Sequence, residues 1–356
     1  MKNPLSVFPF AAVAAMTISV CFAQTTSPNF QLLTTIKVPG GLAGFDISWV
    51  DPGNQRYYLS DHTATKGTGR IDVINTDTNT LLYTIPQTKN EIGFTGTVTG
   101  QPGCTVSGPN GVVAIPQLHQ LYVGDGDSTV KVVDLDARAV VAVIPTGGSC
   151  RSDELAYDPL DHIIMIANDN DSPPFVTFIS TDTQAVLGKY TYPASQIGSG
   201  LEQPVWSPRA KRFFISVPAT MNNTGSVDII NPLTMKVEKS IVTSCSPAGL
   251  VLTPDQRLVT SCGQVFDALS GNNLGVTFGV QGDEIWYNPG DNYTYFGYFN
   301  GTFGPFMGQG CAVVDMATNQ LLTFIPASTH TLAVDSNNNR IFIPVTGSGI
   351  QVYAAQ

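Results

Sequence analysis

The chain has 356 residues, 42% hydrophobic and only 12% charged, with 34 glycines and 24 prolines, where an average soluble protein carries roughly 25% charged residues. That balance supports a sizeable core and excludes a disordered chain or a coiled coil. A formal net charge of -10 repels phosphate backbones and anionic membrane surfaces, so no nucleic-acid partner is expected, and cations or neutral ligands are favoured.

Residues 1–23 read as a secretory signal: Lys2 gives the positive start, Leu5 to Val20 the apolar stretch, and Cys21 to Ala23 a small-x-small cleavage site before Gln24. Lipidation at Cys21 is the alternative, disfavoured by the bulk of Val20. The mature chain, 24–356, is then expected to be secreted or periplasmic. No other apolar run approaches the ~20 residues that span a bilayer, so no membrane span is expected.

Phe30 to Val38 is an isolated strand pattern. Gly108 to Pro116, Gln120 to Gly124, Thr129 to Asp134 and Ala139 to Pro145 then form a clear unit of four short β-branched strands bounded by Gly, Pro, Asp or Asn. Its first strand recurs as an apolar run ending in a turn residue, usually followed by Pro: Asp51, Ile115, Asp158, Ser207, Thr253, Asn288 and Asp335. A repeat of about 45 residues with four strands fits a β-propeller blade, and these frames predict seven. The last repeat stops after its third strand, Gly349 to Tyr353, and Phe30 to Val38 supplies the fourth. The fold expected is all-β, a single seven-bladed propeller over 24–356 whose ring is closed by the N-terminal strand.

The segments Leu121 to Asp125, Tyr57 to Asp61 and Val130 to Gly147 resemble the propeller family named for a Tyr-Val-Thr-Asn repeat, which includes periplasmic surface-layer-like and YncE-like proteins. The resemblance runs through 30–356, strongest in blade 2 and degenerate in blades 5 and 6. The architecture is also similar to that of secreted lactonases and lyases, a likeness that implies a divalent cation in the channel. Fold alone does not assign function.

Five residues before each turn stand Asp46, Asn110, Asp153, Glu202, Ala248, Asp283 and His330. First strands line a propeller's channel, so these side chains are expected at one mouth, joined by Asp61 and His62, by Asp125 and Asp127, and by Asn168 to Asp171 from loops after second strands. Converging carboxylates repel one another unless a cation or bound protons offset the charge. Asp46, Asp153, Glu202 and Asp283 suit calcium or magnesium, and adding His330 or His62 shifts preference toward zinc. A one-residue slip in register presents Glu154 and Glu284 instead of Asp153 and Asp283. The plainer alternative is that these side chains only bond nearby backbone around a solvated channel.

Asn110, Asp153, Glu202, His62 and Asp61 are the expected ligand-binding set, and His330 with Asp46 and Asp283 the best acid/base cluster. Arg151 is the only cation near an aligned position. No nucleophile elbow precedes a helix. His119 and His162 fall in turns at the opposite face. The aromatic stretch Tyr293 to Phe306 suits stacking on a sugar or packing between blades. Cys245 with Cys262 and Cys104 with Cys150 are candidate disulfides, leaving Cys311 over as a buried small residue. Two readings follow: a binding module, expected to be monomeric, for a cation, a small molecule or carbohydrate, or a protein partner; or a metal-assisted hydrolase or lyase acting in the same channel.

Overall fold

Each turn frame of the sequence closes the innermost strand of a four-stranded antiparallel sheet in the computed structural model, which describes residues 28–221, 224–277, 280–297 and 310–356. The expected signal segment lies outside the described residues. Asp51 illustrates the turn chemistry: its carboxylate accepts from the backbone N–H of Asn54, Pro52 occupies a position needing no N–H, and Gln55 reverses the chain at φ 55°. His119 does the same after Pro116 at φ 52°.

The innermost strands are Phe45–Asp51, Val112–Ile115, Leu155–Asp158, Pro204–Ser207, Leu250–Leu252, Ile285–Asn288 and Ala333–Asp335, one for each of seven blades. Blade 7 takes its outer strand from the N-terminal side. Phe30–Ile36 pairs antiparallel with Gly349–Ala355, from Phe30 opposite Ala355 to Ile36 opposite Ile350, so the ring closes as the orphan strand predicted and that edge is covered.

The core lies between neighbouring blades. Tyr57, Tyr122, Phe178, Phe213, Tyr295 and Phe342 are fully buried, and Tyr57 of blade 1 stacks on Phe342 of blade 7 at 5.1 Å across the closure. Backbone bonds tie the starts of neighbouring innermost strands: Gly111 N–H donates to Asp153 O at 3.1 Å, Gly249 N–H to Asp283 O at 2.8 Å and Glu284 N–H to His330 O at 3.0 Å. A Cβ on Gly111 or Gly249 would stand 2.3 or 2.4 Å from those carbonyl oxygens, so only glycine permits the approach.

Cys104–Cys150 and Cys245–Cys262 form disulfides, with Cα atoms 5.2 and 6.1 Å apart. Cys311 begins the strand Cys311–Asp315, is buried, and donates its thiol to Ala327 O at 3.4 Å. The long interval between the first two frames is the connection 86–111. It is bridged at Gly69–Phe94 and Gly96–Gly108 and pinned to blade 3 by Cys104–Cys150. Among the described residues, no helix is long and apolar enough to cross a membrane.

Candidate functional site at two mouths of the channel

The innermost strands start at one mouth of the channel, and there the aligned residues converge. A cavity of about 420 Å³ is faced by Asp46, Asp153, Glu154, Glu202, Asp283 and Glu284, together with Arg151, His62 and His330. Arg151 organises one side. Its guanidinium meets Asp46 at 2.9 Å, Asp153 at 2.6 Å and Asp169 at 3.1 Å. The loop carrying it is held from two sides, by the adjacent Cys150 disulfide and by the Arg151 N–H donated to Thr105 O at 2.7 Å.

Asp46 also lies 3.5 Å from His330 Nε2, and the His330 ring stacks on Phe45 with centroids 4.9 Å apart. Burial alone would raise the Asp46 carboxyl, but Arg151 and His330 outweigh it and hold it at about 2. Asp46 is thus a fixed negative charge that orients the imidazole. His62 contacts Asn110 Oδ1 at 3.3 Å, and Asn110 is itself buried, donating to Ser152 O at 3.0 Å.

Among the described residues, no Lys or Arg reaches the other side of the cavity. Glu154, Glu202 and Glu284 each bring a carboxylate oxygen within 4.8 Å of the other two. Burial, followed by the neighbouring charge of Glu284, pushes the Glu154 carboxyl well above the ordinary range, and burial does the same to Glu284. The two carboxyls act on each other, which raises Glu154 further and partly offsets the effect of burial on Glu284. Glu202 is pushed up to about 8, by burial first and then by Asp169 and Asp283. Among the described residues, Glu284 Oε2 and Asp153 Oδ1 have no hydrogen-bond partner, on residues 4% and 2% exposed. Buried carboxylate oxygens in that condition are costly unless a proton or cation meets them.

Of the five side chains expected to hold a metal, Glu202 alone belongs to this trio. Asp46 and Asp153 are engaged by Arg151, His330 faces Asp46, and Asp283 stands exposed at the rim. Glu154 and Glu284, the residues of the shifted register, complete it. Asp61 is fully buried away from the cavity, paired with Arg70 at 2.7 Å. Asp125 and Asp127 bind Lys131, Asn168 bonds to Ser128 and Thr146, and Asp171 accepts from Ser149 N–H. Of those loop residues only Asp169 joins the cluster, through Arg151. His119 and His162 are exposed and face Asp136 and Asp182. Tyr295 and Phe296 pack in the core, while Tyr298, Phe299, Phe303 and Phe306 lie outside the described residues.

The opposite mouth has another character. A cavity of about 340 Å³ is walled by Trp49, Tyr157, Trp206, Trp286 and Tyr287, with aliphatic side chains between them. These are all three tryptophans of the chain. Each aromatic sits one or two residues before its strand-ending turn, the frame that located the acidic mouth, so the signal was present in the sequence and lay at the other end of the same strands. Glu154 and Ile47 border both cavities.

No protein-family model and no curated protein matches the sequence. Among solved structures, the chain is similar to one in a crystal structure of the mitotic checkpoint complex. That likeness covers 99% of each chain, with a TM-score of 0.63 at 13% identity, and shows the fold alone.

Proposed function

We propose that the protein is an exported binding module of the Tyr-Val-Thr-Asn-repeat kind that captures a hard divalent cation at its acidic mouth. The observation that carries this reading is the convergence of Glu154, Glu202 and Glu284 beside a buried carboxylate oxygen with no hydrogen-bond partner. Three carboxylates without an imidazole favour calcium or magnesium over zinc. The signal-like N-terminus and two disulfides support export, a compartment where calcium is available and disulfides persist. Elemental analysis of protein dialysed against calcium buffer tests the reading. One tightly held ion per chain is expected, lost in Glu202→Gln; an ion content indistinguishable from buffer, with a melting temperature unmoved by calcium, magnesium, manganese or zinc, contradicts it.

A second reading, a hydrolase or lyase in the same cavity, is favoured by one contact, the Asp46–His330 pair at 3.5 Å. With Asp46 held ionised, His330 is the proton-carrying group and Asp46 its positioning residue. Turnover of a lactone or sugar acid abolished in His330→Gln, with folding retained, would support it. Equal turnover in the variant would end it.

A further inference from the structure

The aromatic mouth is chemically selective. Its wall offers five aromatic rings, and Trp49 and Trp286 meet at right angles with centroids 5.3 Å apart, forming the corner of a box. Among the described residues lining it there is no Lys, Arg or His to neutralise an anion. Hydrogen-bonding side chains are few: Ser48 faces Thr331, Gln203 Oε1 accepts from Leu250 N–H at 2.6 Å, Tyr287 donates to Asn292 Oδ1 at 3.0 Å, and the buried Trp206 N–H has no partner among the described residues. A sugar would find few partners for its hydroxyls. The one ionisable carboxylate on the lining is Glu154, at the inner end shared with the acidic cavity. The channel beyond it carries an excess of carboxylates over Arg151.

Indole and phenol faces around an apolar space, with a carboxyl-rich channel beyond its floor, attract a positive charge that sheds water easily. We propose that this mouth is a binding site for a small organic cation, an alkylammonium or quaternary ammonium group on an apolar body. The volume of about 340 Å³ is of the right order for such a ligand. The site borders the divalent-cation trio at Glu154 but rests on the aromatic wall, so each is tested with its own ligand.

Because every tryptophan of the chain lines this cavity, intrinsic tryptophan emission reports on it without a label. The test is a fluorescence titration of the full chain with choline and with dimethylbutanol, its uncharged isostere in which carbon replaces nitrogen. Choline is expected to change emission saturably and to bind at least about tenfold more tightly than the isostere. Trp286→Leu and, separately, Trp206→Leu are expected to weaken choline about tenfold while leaving calcium binding, read by calorimetry, within twofold of wild type. Glu202→Gln is expected to do the reverse. Equal affinity for the charged and uncharged compounds, or no saturable change with choline, overturns the proposal whatever the calcium titration gives. Comparing the two compounds on wild type needs no variant, so a tryptophan substitution that fails to fold does not remove the test.

Discussion

The two mouths of the channel are built by the same strands and solve opposite problems. At the start of the strands, carboxylates are crowded into a buried space and offset by a single guanidinium, so the site is held together by charge. At the other end, aromatic rings are anchored between blades with one side left on the lumen, so that mouth is held by packing. The difference teaches that one set of inner strands can present charge at one end and aromatic packing at the other, so removing a carboxylate should act first on the acidic mouth.

The largest break in that comparison should come from Arg151→Met. Asp46, Asp153 and Asp169 would lose their common partner while remaining buried, and a loss of about 3 kcal/mol or more is expected in denaturant melts. A loss below about 1 kcal/mol would mean the acidic mouth is not organised around this residue.

Asp46→Asn sharpens the pH signature. The folded carboxyl is held at about 2 against an ordinary 3.8, so its stabilisation is present above 3.8 and is lost as pH falls toward 2. The variant should be about 2 kcal/mol less stable than wild type at pH 7, with the gap closing as the pH is lowered. A gap constant with pH would show that the residue acts through packing.

A comparable effect is expected from the ring of close backbone contacts. Gly249→Ala places a Cβ against Asp283 O and should cost about 1–3 kcal/mol. It should also weaken any divalent-cation site, because the shifted strand carries Glu284. Unchanged stability would indicate that the innermost strands can separate freely.

One effect has the opposite sign. Glu202 keeps its proton up to about pH 8 in the folded chain, against 4.5 ordinarily, so the folded state binds the extra proton between those values and stability falls as pH rises through that window. Glu202→Gln removes the fall. In chelator-treated protein it should raise the melting temperature by about 5 °C or more at pH 8 and leave it unchanged near pH 4. Saturating calcium should reverse the order, since only wild type keeps the ligand.

Much of this was legible from the turn frames. The spacing gave seven blades, the closure by Phe30–Ile36 and the convergence of Asp46, Asp153, Glu202, Asp283 and His330 on one cavity. It could not choose between Asp153 and Glu154, or Asp283 and Glu284, because at the start of these strands both members of each pair face the same cavity. Asp61 was expected on the rim. Its partner Arg70 lies directly opposite in the next strand, a cross-strand pairing visible only once the hairpin register is known. The three-way pairing of Arg151 was not readable either, since it joins blade 1 to two elements of blade 3. The tryptophans share the turn frames, one or two residues before each turn, but each also fits an ordinary strand pattern, and it is the closed ring that turns them toward a common space.

The most direct measurement is anomalous difference density from a crystal soaked in manganese, a hard cation that scatters anomalously where calcium or magnesium would bind. The account predicts one strong peak among the carboxylates of Glu154, Glu202 and Glu284, absent in Glu202→Gln. Density only at the exposed rim near Asp283, or none in the channel, would contradict the claim that the acidic mouth is a cation site.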